Sequence, residues 1–113
     1  MKMIVAFLRP DRLDPVTRAL EHIPHFPGMT VTDARGFGRG KVEEPPDSRR
    51  AELTDFTETA RIEIVVSDEQ SSTVMEVIEK TARTGRRDDG KIFVLPVERG
   101  RRIRTGEEGD AAL

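Results

Sequence analysis

The order of the apolar segments is the feature that most constrains how this chain folds. Residues 3–8 form a nearly continuous apolar run, as expected for a strand that is buried on both faces. Asp14 and Pro15 have the residue types of a helix N-cap and of a first helical position. Apolar residues follow them at i, i+3, i+4 and i+7, which predicts one apolar helix face. Residues 29–34 alternate loosely and predict a second strand.

A third strand is predicted after a long stretch without periodicity. Residues 60–66 alternate, with Ile62 and Ile64 on one face and Arg61 and Glu63 on the other. This pattern is typical of a strand that packs one face against a core.

The helix predicted after this strand has sequence signals at both of its ends. Ser67 and Gln70 have the spacing of a capping box, and apolar residues recur at helical spacing over residues 74–82. Thr84-Gly85 predicts a C-cap glycine. Residues 92–97 are almost fully apolar and predict a fourth strand.

The resulting order, βαββαβ, predicts an α+β, ferredoxin-like domain over residues 1–113. In that fold a four-stranded antiparallel sheet carries two helices on one face. Strand residues such as Ile4, Ala6, Ile64 and Phe93 are so apolar that we expect the second sheet face to be buried as well. Burial on both faces implies self-association.

Residues 36–58 separate the two halves and show no periodicity. The stretch is polar and charged and contains Pro45-Pro46. Connections beyond about 12–15 residues without secondary structure are uncommon in compact domains and are usually functional or disordered. We expect this segment to be mobile in the free protein.

Residues 84–91 form a charged loop that is bounded by glycines and leads into the fourth strand. Gly85 and Gly90 let backbone N–H groups approach a ligand closely, and Lys91 is a point charge at the mouth of the strand. A loop of this kind suits a polyphosphate. Loops with Gly and Asp also occur as ordinary solvated turns, and that alternative stays open here.

Composition excludes several classes of protein. The chain has 113 residues, enough for one core and too few for two. Its formal net charge is −2, so no global field favours nucleic acid or an anionic membrane. The absence of cysteine excludes disulfides and thiolate chemistry, and no apolar run is long enough to span a bilayer. We expect a cytoplasmic protein without direct membrane insertion.

No metal site is predicted. His22 and His25 are three residues apart, but Pro24 between them spoils helical geometry and no third ligand is evident. Two interpretations of the acidic residues in the long segment stay open: they attract a cationic partner or a metal ion, or they are simply solvated. These residues are Glu43, Glu44, Asp47 and Glu52.

Several stretches together resemble the PII signal-transduction proteins, the trimeric nitrogen regulatory family: residues 28–32, 36–39, 61–66, 84–85, 89–94 and 103–106. The resemblance covers essentially the whole chain and implies a homotrimer with three inter-subunit clefts that bind ATP and ADP competitively. It implies that residues 36–58 are the family's T-loop, 84–91 its B-loop and 97–105 its C-loop. The T-loop would dock onto a partner such as a membrane transporter, a metabolic enzyme or a regulator.

The same resemblance implies roles for individual residues in the nucleotide cleft. Thr30 and Thr84 would recognise the adenine, and Ile64 would form an apolar wall beside it. Arg102 and Arg104 of the neighbouring subunit would reach the terminal phosphates, since arginine suits bidentate contact with oxyanions. The remaining cleft residues would be Gly36, Phe37, Gly38, Arg39, Asp89, Gly90 and Lys91.

The chain departs from the family pattern in its T-loop. Members that are controlled by nucleotidylation carry a tyrosine at the loop tip, where this chain has Glu52, and the chain contains no tyrosine at all. That covalent switch is therefore excluded, while phosphorylation of Ser48 stays an open alternative.

Further departures concern the ligands. Gly40 stands where a glutamine helps to hold Mg²⁺ and 2-oxoglutarate, and Thr59 stands where a lysine pairs with the 2-oxoglutarate carboxylate. We expect a weakened or lost response to 2-oxoglutarate unless Lys41 compensates. Asp88 replaces a glycine, and a carboxylate beside the phosphates predicts weaker ATP binding or a preference for ADP or AMP.

Two other function classes compete with a regulatory, non-enzymatic protein. A slow ATPase on the same fold would need a carboxylate near the cleft, and Glu63 and Asp89 are the candidates. However, the chain has no Ser/His/Asp set and no Walker lysine motif. A nucleic-acid module would need aromatic residues on its open sheet face, and the chain has five Phe, no Tyr and no Trp. We therefore predict a regulator that does not bind nucleic acid.

Overall fold

The fold follows the order that the apolar segments predict. A computed structural model describes residues 1–38 and 56–113, and residues 39–55 lie outside the described part. The described elements are β1 (Lys2–Leu8), α1 (Leu13–Glu21), β2 (Thr30–Gly36), β3 (Thr57–Val66), α2 (Ser71–Ala82) and β4 (Gly90–Pro96). The strands form one antiparallel sheet in the order β2-β3-β1-β4. The α+β, ferredoxin-like arrangement of the chain is confirmed.

The core lies between one face of the sheet and the two helices, which pack against each other. Ile4 pairs with Ile64, and Ala6 pairs with Ile62, in the register of β1 and β3. Because side chains on directly paired residues share a sheet face, these four residues form one apolar layer. All four are at most 1% exposed. Val16 and Leu20 of α1 and Val74 and Ile78 of α2 cover that layer.

The two sheet faces differ in burial within one chain, and the expected burial of the second face by self-association stays a prediction. Phe93 belongs to the opposite, open face, because it pairs with Val5 while Ile4 and Ala6 face the helices. Phe93 is 50% exposed and Leu95 is 42% exposed. The helices of this chain therefore cover only one face.

The start of α1 differs from the prediction. The helix begins at Leu13 with Arg12 at the N-cap position, and Asp14 lies inside its first turn without a side-chain capping bond. A 3₁₀ turn over Pro10–Arg12 precedes the helix, closed by the Arg12 N–H to the Arg9 carbonyl at 2.9 Å. This turn already directs the chain into the helix, so Asp14 is not needed as a cap.

Both predicted caps of α2 are also wrong. The Gln70 side chain donates to the Pro24 carbonyl at 3.1 Å. A 3₁₀ turn over Asp68–Gln70 precedes the helix. Neither that turn nor α2 has a side-chain capping bond. The helix ends at Ala82, and Arg83 at its C-cap is extended. Gly85 adopts a positive φ of 88° two residues further on.

The strands reach into the predicted T-loop from both sides. Gly36 still belongs to β2 and pairs with Thr57, so Thr57 and Glu58 belong to β3. Just beyond the strands, Phe37 and Phe56 form an edge-to-face ring pair with centroids 5.4 Å apart. Among the described residues the connection therefore starts at Phe37 and ends at Phe56.

Candidate functional site

The loop between α2 and β4 is organised by one carboxylate, Asp89. The backbone N–H groups of Thr84 and Gly85 both donate to Asp89 Oδ2 at 2.8 Å, and the Thr84 hydroxyl donates to Oδ1. The Arg86 N–H in turn donates to the Thr84 hydroxyl oxygen at 3.2 Å. These hydrogen bonds, that of the Thr84 side chain first, hold the pKa of Asp89 below its ordinary value. Asp89 thus holds the loop in place through the three hydrogen bonds that its carboxylate accepts.

Gly90 is required by sheet pairing at the end of this loop. Its φ is +106°, and a Cβ atom there would lie 1.8 Å from the Phe7 carbonyl oxygen. The approach is this close because Gly90 is the first residue of β4 and pairs with Leu8, the last residue of β1. The glycine that was predicted to admit a ligand is therefore also the residue that lets β4 join the sheet.

Arg9 connects the end of β1 to the same loop. Its guanidinium donates through Nε and Nη2 to both oxygens of Asp11, each at 3.1 Å. Its Nη1 donates to both oxygens of Asp88, at 3.0 and 3.3 Å. The hydrogen bond to Asp11 is the largest cause that raises the pKa of Arg9, and it lowers the pKa of Asp11. The Asp88 carboxylate is therefore paired with a cation.

Lys91 lies on the open sheet face beside aromatic residues. It pairs with Phe7, whose ring makes an edge-to-face contact with Phe93 at 6.5 Å between centroids. The Arg61 guanidinium lies over the Phe7 ring at 5.5 Å, within the range of a cation–π contact. Two cations and two aromatic rings thus share this part of the open face.

Two cavities lie near the strand ends. One of about 390 Å³ lies between β1, α2 and β4, and its lining includes three predicted site residues, Asp89, Gly90 and Lys91. The other, of about 440 Å³, is lined by none of them. The smaller cavity is therefore the one that coincides with the predicted phosphate loop.

The glycine-rich motif lies at the same end of the sheet but at its other edge. Gly36 ends β2, followed by Phe37 and Gly38, whereas the loop before Gly90 leads into β4. Strands β2 and β4 are the two edges of the sheet, roughly 14 Å apart at three strand spacings. Arg39 of the same motif lies outside the described residues. At this distance, no single short side chain connects the two groups of residues within one chain.

Ile64 does not face a cleft in this chain. It is 1% exposed and lies in the core beneath the helices, so the apolar wall predicted there is wrong for this residue. Val65 follows it and lies on the open face, where it pairs with Met3. The alternation of β3 already places Val65 on the open face. It lies two and four residues after Glu63 and Arg61, which the alternation puts on the face opposite Ile64.

Thr30 lies on the open face at the β2 edge. It is exposed and pairs with Glu63. The Glu63 carboxylate accepts a hydrogen bond from Arg61 Nε at 3.1 Å, and Asp89 is held by Thr84. Both carboxylates that the ATPase alternative requires are thus already paired within the chain.

The C-terminal arginines lie at the opposite end of the sheet. The Val97 N–H donates to the Met1 carbonyl at 3.1 Å, so the chain after β4 starts beside the first residue of β1. Arg102 donates to the main-chain oxygens of Ala112 and Leu113, and Arg104 is exposed. The seven residues of β1 separate the two ends by roughly 20 Å. Within one chain, these arginines do not reach the loop at Asp89.

Thr59 has a structural partner. Its hydroxyl donates to the Leu8 carbonyl at 3.0 Å and so links β3 to the end of β1. Gly40 and Lys41, which also bear on the predicted response to 2-oxoglutarate, lie outside the described residues. Thr59 therefore offers no cation and no free hydroxyl proton to a keto acid.

The described ranges contain no metal-ligand cluster and no helix that could span a membrane. Within residues 1–38 and 56–113, no group of three His, Cys, Asp or Glu side chains is placed to hold a metal ion. In the same ranges, neither helix has the length and apolar character needed to cross a bilayer.

Comparison with known proteins identifies the family. The family model for nitrogen regulatory protein P-II matches residues 1–107. The chain is 46% identical over 113 residues to the nitrogen regulatory protein P-II of Pasteurella multocida and to that of Klebsiella oxytoca. It is equally similar to the nitrogen regulatory protein P-II 1 of Escherichia coli strain K12, and each match covers 100% of both chains. The chain therefore belongs to the nitrogen regulatory protein P-II family, whose members are regulatory signal proteins and not enzymes.

Proposed function

We propose that this chain forms a cytoplasmic homotrimer that binds ATP and ADP between subunits and controls a partner protein through residues 36–58. The family membership supports the regulatory role. The division of the predicted nucleotide residues between the two ends of the sheet supports the inter-subunit site, and it is the observation that carries the proposal.

The predicted phosphate loop and the C-terminal arginines lie too far apart to meet within one chain. The loop that ends at Gly90 and Lys91 lies at one end of β1, and Arg102 and Arg104 follow from its other end. A ligand with phosphates at the loop meets such arginines only if a second copy supplies them. A closed assembly of identical chains repeats this contact once per subunit.

The open sheet face supports self-association. Phe93 and Leu95 are 50% and 42% exposed on a sheet whose other face is closed by helices. Burial of apolar surface contributes about 25 cal/mol per Å², so an assembly that covers this face gains stability. Ile103, which is 100% exposed between Arg102 and Arg104, would be covered by a neighbouring copy in the same way.

The described residues fit a polyphosphate ligand. Lys91 supplies a cation on the open sheet face, where it pairs with Phe7, and a lysine ammonium binds phosphate as a point charge. Asp89 has already ordered the loop before any ligand arrives, so binding does not need to order it. Thr30 and Val65 offer a polar and an apolar contact on the open face to an adenine.

Regulation requires that nucleotide binds two states of the protein with different affinity. The Phe37–Phe56 contact lies where the connection leaves β2 and β3, close to the strand end that holds Gly36. A nucleotide seated there would favour one conformation of the connection, and the partner, a transporter, a metabolic enzyme or a regulator, would bind that conformation. Arg39 would contribute from the connection itself.

Calorimetric titration with ATP, ADP and AMP in the presence of Mg²⁺ tests this proposal. We expect ATP and ADP to bind and to compete, and Lys91→Ala to weaken both by about tenfold because a charge-assisted contact is lost. Lys80→Ala is the matched control, since Lys80 is an exposed lysine at the end of α2. Sedimentation of both variants at the mass of the trimer shows that assembly is intact.

The outcomes separate the parts of the proposal. Wild-type protein that binds no adenine nucleotide would reject the ligand, and a monomer at every concentration would reject the trimer. Steady ATP turnover that Glu63→Gln or Asp89→Asn abolishes would favour the ATPase alternative. We expect 2-oxoglutarate to bind the MgATP complex weakly or not at all, because Gly40 and Thr59 supply neither an amide ligand nor a cation and the Thr59 hydroxyl donates to Leu8. Tight uptake of the keto acid would show that Lys41 or another group compensates.

A further inference from the structure

We infer that Arg9 is the positioning residue of the phosphate loop: it offsets the charge of Asp88 and ties the loop to the end of β1. The inference rests on the proposed function, because it assigns a role within the same anion site. It explains how a loop that carries two adjacent carboxylates, Asp88 and Asp89, can still accept a ligand with several negative charges.

The geometry of the Arg9 side chain is the first support. All three guanidinium nitrogens donate to carboxylate oxygens, two to Asp11 and one to Asp88, between 3.0 and 3.3 Å. The Arg9 side chain is 18% exposed, whereas the Asp11 and Asp88 side chains are 62% and 61% exposed. A largely covered arginine therefore stands between two exposed carboxylates, and one of them belongs to the loop.

The position of Arg9 in the sheet is the second support. Leu8 pairs with Gly90, so Arg9 leaves β1 next to the residues that enter β4. Arg12, three residues later, donates through Nε to the Thr81 carbonyl at 3.0 Å, near the end of α2. Two arginines of the turn after β1 thus hold the last turn of α2 and the loop that follows it.

The charges around the loop show what loss of Arg9 would do. Without it, Asp88 and Asp11 lose the hydrogen bonds that Arg9 donates, and their repulsion of an anion grows with the number of charges on that anion. Asp89 would keep the hydrogen bonds that it accepts from Thr84 and Gly85, because Arg9 donates to Asp11 and Asp88 and acts on Asp89 through its charge. The expected defect is therefore one of charge and loop position, and it differs between AMP and ATP.

The test compares Arg9→Gln, Asp88→Asn and the double variant by calorimetry with AMP, ADP, ATP and inorganic tripolyphosphate. We expect Arg9→Gln to weaken ATP and tripolyphosphate by about fivefold and AMP by less than about twofold, the scale of an exposed ion pair. Asp88→Asn should bind ATP more tightly than wild type, and the double variant should recover most of the loss. Arg18→Gln, an exposed position on α1, is the control with the same change in net charge.

Each result decides the inference. It is overturned if Arg9→Gln binds ATP like the Arg18→Gln control, if all phosphates weaken by the same factor, or if Asp88→Asn fails to restore binding in the double variant. Wild-type protein that binds tripolyphosphate but no nucleotide would reject the proposed function and leave the Arg9 comparison decisive with tripolyphosphate. Wild-type protein that binds neither would reject both.

Discussion

Both faces of the sheet carry apolar side chains, but the chain's own helices cover them to different extents. Ile4, Ile62 and Ile64 on the helix-facing side are at most 1% exposed, whereas Phe93 and Leu95 on the open side are about half exposed. The first face is covered by the chain's own helices, and the second is left open by them. Apolar side chains on the first face therefore contribute to the core, and those on the second are the ones that the proposed assembly would cover.

Ile64 and Val65 show how narrow this division is. They are neighbours in β3, yet Ile64 packs in the core and Val65 lies on the open face opposite Met3. A strand turns successive side chains to opposite faces, so a difference of one position in β3 separates a core side chain from one on the open face. The cleft contact predicted for Ile64 is therefore not available to its side chain within this chain.

The largest effect is expected from truncation on the helix-facing side. Ile64→Ala should reduce the free energy of unfolding by about 2–5 kcal/mol, because it removes buried methyl groups and leaves a cavity. Urea denaturation followed by circular dichroism measures this loss at one protein concentration. Val65→Ala is the matched control and should cost clearly less. Equal losses for the two variants would contradict the division between the faces.

A smaller effect on the subunit, but a decisive one on assembly, is expected on the open face. Leu95→Asp places a charge on apolar surface that the assembly would bury, and a buried unpaired charge is costly. We expect the variant to sediment as a monomer with its helices retained. Thr73→Asp adds the same charge at an exposed position of α2 and should sediment like wild type. A Leu95→Asp protein that stays assembled would remove the open face from the interface.

The sequence was sufficient for the fold because its periodicities are strong and local. The order of elements along the chain follows from the apolar run of β1, from alternation over β3 and from helical spacing before Ile23 and before Ala82. The helix caps were predicted less well, because Asp14 and Ser67 are good caps in isolation. The structure uses 3₁₀ turns at both places instead, one of them starting with Pro10. Such turns depend on neighbouring segments that local spacing does not report.

The candidate site was only partly predictable for the same reason. The loop, Gly90 and Lys91 follow from local composition, but the Arg9–Asp88 contact joins residues 79 positions apart. From the sequence, Asp88 predicts repulsion of phosphate, and the partner that offsets it becomes visible only when β1 and β4 are adjacent. The position of Arg102 and Arg104 at the far end of the sheet likewise needs the register of the strands.

The smallest effect concerns the loop between α2 and β4, and it depends on pH. Hydrogen bonds from Thr84 and Gly85 hold the pKa of Asp89 below its ordinary value of 3.8. A carboxylate whose pKa is lowered in the folded state stabilises that state at pH above 3.8, and the contribution is lost as the pH falls through the lowered value. Loop order should therefore be complete at neutral pH and should fail only in acid.

Nuclear magnetic resonance spectra measure this transition. The amide resonances of Thr84 and Gly85 should titrate together with a midpoint below 3.8. In Asp89→Asn this titration should be absent, while the resonances of core residues stay unchanged. A midpoint at or above 3.8 would mean that Asp89 does not organise the loop, and that the order of this loop comes from Arg9 or from the strands on either side.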